Sequence, residues 1–145
     1  MIEEIKKIPR GVVGVMVFKD GKVLIGKRRD TATHAQGEYS FPGGKIEEGE
    51  SFKEAIERET LEEAGIKIKN LKFLCVINVS KYKGFPAVLL GFSADIDNSE
   101  PKSFFEERIG EWQWVNLDNL PDPLFYPTKV IIDSYKTGKN FYDKE

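Results

Sequence analysis

Residues 51 to 65 constrain the fold more than any other stretch of the chain. Ser51-Phe52-Lys53-Glu54 sets a hydroxyl acceptor three residues before a glutamate, the reciprocal capping arrangement that starts a helix, and Gly65 is placed to end it just after Ala64. The spacing predicts a helix of about fourteen residues. What flanks it has a different period. Gly11 to Phe18 is rich in valine and is followed by the turn signal Lys19-Asp20-Gly21-Lys22 and a second apolar run at Val23-Leu24-Ile25, which reads as a β-hairpin. Leu71 to Val79 and Ala87 to Ile96 read as two further strands, and a short strand is expected around Trp112 to Val115. Pro127 is placed to open a final helix through Tyr135, with Gly138 as its stop. Hairpin connections are more evident than crossover units, so these elements predict an α/β protein with a mixed sheet flanked by helices. At 145 residues, one domain over 1–145 is the expectation.

Two segments do not fit this regular pattern. Residues 30 to 45 contain Gly37, Pro42, Gly43 and Gly44, with Tyr39 and Phe41 suggesting a short strand before the Pro-Gly-Gly; a loop of that length inside a small domain is usually functional. Asn98 to Arg108 reads as a mobile polar segment.

The helix carries a conflict. At about 100° per residue, Phe52, Ala55 and Ile56 share the face that should pack on the sheet, and the same stripe continues through Glu59, Glu62 and Glu63. Three carboxylates thus stand where apolar side chains are expected. Burying adjacent like charges is strongly unfavourable without a cation, whereas a hard divalent ion satisfies them with oxygen ligands. Taken alone, the run also reads as a solvated, salt-bridged helix. Its neighbourhood favours a site. Gly43 and Gly44 permit close approach of backbone to a ligand, and the cluster Lys27-Arg28-Arg29 at the end of a strand can hold phosphate oxygens through charge-assisted hydrogen bonds.

Composition removes other chemistries. With one histidine, His34, and one cysteine, Cys75, a Cys/His zinc site cannot be assembled, and a serine triad would have to use His34. His34 reads as a loop residue and Cys75, inside Phe73-Leu74-Cys75-Val76-Ile77, as a buried strand residue. A lone cysteine gives no disulfide argument for secretion, no membrane helix or leader is read, and the cytoplasm is the expected compartment. The net charge of −2 gives no global attraction for nucleic acid polymers or anionic membranes.

The stretch from Gly44 through Glu50, Arg58, Glu59, Glu62, Glu63, Gly65 and Ile66 resembles the Nudix box, G-x5-E-x7-R-E-U-x-E-E-x-G-U with U apolar. Identity and spacing match throughout, except that Thr60 stands at the first U. Seven polar or glycine positions at fixed offsets are far more specific than a lone glycine motif. Tyr39-Ser-Phe-Pro-Gly-Gly looks like the family's lead-in. Glu100-Pro-Lys, Trp112-Gln-Trp-Val and Leu120-Pro-Asp-Pro-Leu-Phe look most like the branch that cleaves nucleoside triphosphates, oxidised guanine nucleotides included.

The resemblance implies an α/β/α sandwich with a loop-helix-loop catalytic motif, and Mg²⁺-dependent hydrolysis of a nucleoside triphosphate to the monophosphate and pyrophosphate, with Mn²⁺ able to substitute. It implies Glu59 and Glu63 as metal ligands, Glu62 as ligand or proton acceptor, the Gly44 carbonyl as backbone ligand and Arg58 as support for a carboxylate. A further acidic ligand is expected from the late loop, where Glu106, Glu107 and Glu111 are candidates and Glu107 is favoured by position. Arg28, Arg29, Gly43 and Gly44 are the expected substrate contacts, with a small-molecule nucleotide as partner and a homodimer as the implied assembly. Trp112, Trp114 and Phe125 can stack on a base or fill core. Tyr82 is a loose marker of dinucleoside polyphosphate hydrolases and keeps that substrate open. A non-catalytic nucleotide-sensing module is the reading from a different class.

Overall fold

The computed structural model describes residues 6–145. The first five residues lie outside the described residues, and with them the start of the expected 1–145 domain and half of the N-terminal stretch in which no leader is read. The elements are β1 (Arg10–Lys19), β2 (Lys22–Arg28), β3 (Tyr39–Ser40), β4 (Gly43–Lys45), α1 (Phe52–Ala64), β5 (Ile68–Val79), β6 (Ala87–Ile96), β7 (Ile109–Val115), α2 (Tyr126–Thr137) and β8 (Phe141–Tyr142).

The expected hairpin forms: Lys19 pairs with Lys22 around Asp20 and Gly21, whose φ values of 50° and 77° are both positive, as a two-residue turn matched to strand twist requires. The sheet runs β3-β2-β1-β6-β5-β8, with β4 also on β1 and β7 also on β2. It is mixed, because β1 lies parallel to β6 and β5 parallel to β8 while the other pairs are antiparallel.

Period-two alternation along β1 decides what each face receives. Val13, Val15 and Val17 pack with Leu24, Ala55, Ile56 and Ala64 on the α1 side. Met16 packs with Val23, Ile25, Val130 and Ile131 on the α2 side. The result is the α/β/α sandwich. Each fully buried Val, Leu or Ile contributes roughly 1.5–3 kcal/mol of transfer free energy, so this double-sided sheet is a rigid support for α1. Cys75 is buried in β5, as expected. Among the described residues no helix is long and apolar enough to cross a membrane.

Several boundaries differ from the sequence reading. β5 begins at Ile68, with register shifts between Lys69 and Lys72 and between Phe73 and Cys75, so its bulges blur the alternation near its start. β7 begins at Ile109, and β8 was not expected, because two residues carry no periodicity. Phe52, expected on the packing face, is 53% exposed: the buried stripe of α1 starts one turn later, at Ala55.

Candidate active site

α1 is held at both ends by its own sequence. Ser51 Oγ accepts from the Glu54 N–H while the Glu54 carboxylate accepts from the Ser51 N–H, and Gly65 closes the helix at φ 68°. The face turned to the sheet comprises Ala55, Ile56, Thr60, Glu63 and Ala64. Thr60 is fully buried, and its hydroxyl donates to the Ile56 carbonyl at 2.9 Å. A threonine thereby fits an apolar position, since its polar atom is satisfied within the helix. The Trp112 indole N–H donates to the Glu63 carbonyl at 3.1 Å, tying β7 to the last turn of α1. Trp112 and Trp114 both pack against the core cluster on the α1 side.

The Pro-Gly-Gly turn comes so close to β1 and α1 that a side chain would not fit. A Cβ on Gly43 would stand 2.2 Å from the Val13 carbonyl oxygen, and one on Gly44 would stand 2.4 Å from the Glu59 carboxyl carbon. This closeness lets the Gly43 N–H donate to Glu63 Oε1 at 2.8 Å. Glu63 is 6% exposed, and among the described residues it has no ion pair. Burial holds its carboxyl well above the usual carboxylate range, against the Gly43 hydrogen bond and with the charges of Glu59 and Glu107 adding to the upward push. Burial also raises Glu59, against its bond to Arg58. Glu62, on the edge of the stripe, has a half-exposed side chain.

Arg58 lies across this acidic face. It donates to Glu50 through Nε and Nη2 at 2.7 and 3.0 Å, to Glu59 at 2.9 Å, to Glu62 at 3.2 Å and to the Lys45 carbonyl at 2.9 Å. Its pKa is pushed up, first by the hydrogen bond to Glu50. One fork thus orients Glu59 and Glu62 from behind, and Glu50 anchors it.

Of the three late-loop candidates, Glu107 stands within electrostatic reach of Glu59, Glu62 and Glu63. Burial and the Glu62 charge raise its carboxyl. The segment expected to be mobile is irregular but tied: the Lys102 N–H donates to the Ala64 carbonyl at 2.8 Å. Arg29 accounts for more of this. Expected at the phosphates, its Nη1 instead donates to the carbonyls of Phe104, Phe105 and Glu107 at 2.6, 2.9 and 3.1 Å, because the strand end turns the side chain toward this loop.

Arg28 points the other way. It is 9% exposed and donates from Nε to the His34 carbonyl at 3.2 Å, its guanidinium lying 4.5 Å above the Phe125 ring. Among the described residues it has no ion pair, and burial lowers its pKa against attraction from Glu63. Its charge is met by the His34 carbonyl and the Phe125 ring. Arg108 adds positive potential around Arg28, and burial, then Arg28, Arg108 and Lys45, push His34 down to about 4.

His34, read as a loop residue, stacks on Phe85 at 4.5 Å beside Tyr82 and Phe125. The Tyr82 hydroxyl donates to Glu38 at 2.7 Å and accepts from the Tyr126 N–H at 2.9 Å. Glu38, Lys45 and Arg108 were not foreseen. Lys45 carried a signal, since it directly follows Gly44; the other two come from loops whose folding alone brings them here.

The donor set fits a hard divalent cation. Glu59, Glu62, Glu63 and Glu107 lie within one another's electrostatic reach beside the Gly43 and Gly44 backbone, and burial penalises the charge of three of them. Among the described residues no three acidic side chains already converge at ligand spacing, Arg58 being drawn between Glu59 and Glu62 instead.

Known proteins are similar to this chain in sequence and in fold. The family model described as NUDIX domain matches residues 8–135. An RNA pyrophosphohydrolase of Bartonella bacilliformis is 32% identical over 144 residues, covering 81% of this chain and 84% of that protein. An NAD-capped RNA hydrolase of Shigella dysenteriae is 32% identical over 112 residues, covering 74% of this chain and 39% of its own; the chain thus spans about two fifths of the length of the NAD-capped RNA hydrolases it matches. In three dimensions the chain is similar to a MutT Nudix hydrolase of Burkholderia pseudomallei, with a TM-score of 0.79 and 29% identity over 88% of this chain and 98% of that one.

Proposed function

The chain belongs to the Nudix family of hydrolases, and from that premise we propose that it cleaves a phosphoanhydride bond of a nucleoside triphosphate, an oxidised or otherwise modified one included, to the monophosphate and pyrophosphate. Glu63 carries the reading: a buried carboxylate with one backbone donor and, among the described residues, no ion pair, flanked by further carboxylates, calls for a cation. Gly44, Glu59, Glu62, Glu63 and Glu107 would hold it, Mg²⁺ being expected and Mn²⁺ a substitute. When bound, the ion supplies cancellation of charge on the phosphate oxygens as the anhydride bond breaks.

The protein's own groups do the rest. Arg58, anchored by Glu50, orients Glu59 and Glu62. Glu62 uses Oε2 toward Arg58, and its Oε1, on a half-exposed side chain, serves either to share in holding the ion or to accept the proton of the attacking water. The Nη1 and Nη2 groups of Arg28, which make no hydrogen bond among the described residues, receive phosphate oxygens, and the backbone of Gly43 and Gly44 lets the chain of phosphates approach closely. A homodimer is proposed as the assembly, to be checked by light scattering.

A second reading is favoured by the Bartonella relative, which is named for hydrolysing a pyrophosphate on RNA and matches over most of its length: the nucleotide is the end of an RNA. The expectation of no polymer partner would then give way. The test is a panel of nucleoside triphosphates, oxidised guanine nucleotides, dinucleoside polyphosphates, ADP-ribose and 5′-triphosphorylated RNA, each with and without Mg²⁺. Metal-dependent pyrophosphate release by the wild type, lost in a folded Glu63→Gln variant, supports the proposal. Turnover without metal, or tight nucleotide binding with no turnover, overturns it.

A further inference from the structure

Arg29 leaves β2 on the side opposite Arg28 and reaches a turn more than seventy residues away in sequence. Its Nη1 bonds the carbonyls of Phe104, Phe105 and Glu107, and its backbone N–H donates to the Arg108 carbonyl at 2.8 Å. The turn also closes on itself, the Glu107 N–H donating to the Phe104 carbonyl at 3.1 Å. One arginine therefore holds the backbone on both sides of the Glu107 side chain.

The Lys102 bond to Ala64 and the half-buried Phe104 ring beside Gly65 hold the entry to this turn but not its tip. Phe105 is 94% exposed and Glu106 is exposed, so apolar burial does not fix its tip. Glu107 faces the like charges of Glu59, Glu62 and Glu63, and an untethered loop would relax away from them. The space for the guanidinium is made by Gly110, where a Cβ would stand 2.1 Å from Arg29 Nη2. Among the described residues Arg29 meets no carboxylate at ion-pair distance; its positive charge is met by carbonyl dipoles.

We infer that Arg29 is a positioning residue of the metal site, acting through Glu107 and not by touching substrate. The inference rests on the reading of Glu107 as a metal-holding carboxylate. A lysine can offer three donors to the same carbonyls but lacks the rigid planar fork, so it should restore part of the function.

The test is direct Mn²⁺ binding, followed by the electron paramagnetic resonance of the free ion, without substrate. The proteins are the wild type, Arg29→Ala, Arg29→Lys, Gly110→Ala, Glu107→Gln and the double Arg29→Ala/Glu107→Gln, with circular dichroism checking the fold. Loss of a group that orients a metal ligand typically weakens metal affinity about ten- to a hundredfold. Arg29→Ala and Gly110→Ala are expected to weaken Mn²⁺ binding in that range, Arg29→Lys by less, and the double variant no further than Glu107→Gln. Amide exchange at residues 104 to 108 should quicken in Arg29→Ala. Should Arg29→Ala not fold, Arg29→Lys and its combination with Glu107→Gln decide by the same comparison. Wild-type affinity in the Arg29 variants beside a weakened Glu107→Gln overturns the inference alone, as do losses that add in the double variant. Wild-type affinity in Glu107→Gln removes Glu107 from the metal site and the inference with it.

Discussion

Replacing Glu63 by glutamine should make the metal-free protein more stable while abolishing its response to metal. The side chain is buried and its carboxyl raised well above the usual range. Desolvating an ion in a real protein costs several kcal/mol. Glutamine keeps an oxygen for the Gly43 N–H, losing about 1 kcal/mol of charge assistance, and it forfeits the attraction of Arg28 while escaping the repulsion of Glu59 and Glu107. The balance favours glutamine by about 2 kcal/mol, or roughly 5–8 °C in Tm for a chain of this size. The sign with pH follows from linkage. Above the ordinary glutamate value and below the raised one, the folded state binds more protons than the unfolded state, so wild-type stability falls as pH rises through that window. Glu63→Gln lacks this loss. The two proteins should therefore be close in stability near the ordinary glutamate value and separate toward pH 8, in urea unfolding with EDTA. Mg²⁺ should then stabilise the wild type and leave Glu63→Gln nearly unmoved. A variant less stable than wild type in EDTA at pH 8, or one that gains as much from Mg²⁺, refutes the reasoning.

The two glycines should separate stability from function: Gly43→Ala meets the Val13 backbone and should lose about 1–3 kcal/mol or more in urea unfolding. Gly44→Ala meets the flexible end of Glu59, so it should keep most of its stability while pyrophosphate release falls by about tenfold or more. His34, the one histidine, should titrate near pH 4 in proton NMR; its folded pKa lies below its unfolded one, so stability should fall as pH drops from about 6.5 toward 4, and His34→Phe should remove that slope while keeping the stack on Phe85. Thr60→Val should change stability by less than about 1 kcal/mol, because the hydroxyl and its need for a partner leave together.

Much of the fold can be read locally. The capping box, Gly65 and the Asp20-Gly21 turn each act within a few residues, and the alternation of β1 shows which valines lie on each face. The acidic stripe of α1 is equally local, and the offsets from Gly44 to Gly65 tie it to a family motif by sequence alone. What escapes the sequence depends on distant chain. The depth at which Phe52 sits depends on where the sheet lies beneath α1. The direction of Arg29 depends on a loop that folds against it from beyond residue 100, and two adjacent arginines at a strand end look alike until one meets three carbonyls and the other a half-buried aromatic ring. Tyr82 and Glu38 likewise meet through tertiary packing, 44 positions apart in sequence.

An anomalous difference map from a crystal of the wild-type protein soaked in Mn²⁺ would locate the cation directly. A peak is expected within ligand distance of the Glu59 and Glu63 carboxylates, beside Gly44 and facing Glu62 and Glu107, with Arg58 still anchored by Glu50. A protein that hydrolyses nucleotides in the same buffer yet shows its manganese elsewhere, or none, would contradict that placement.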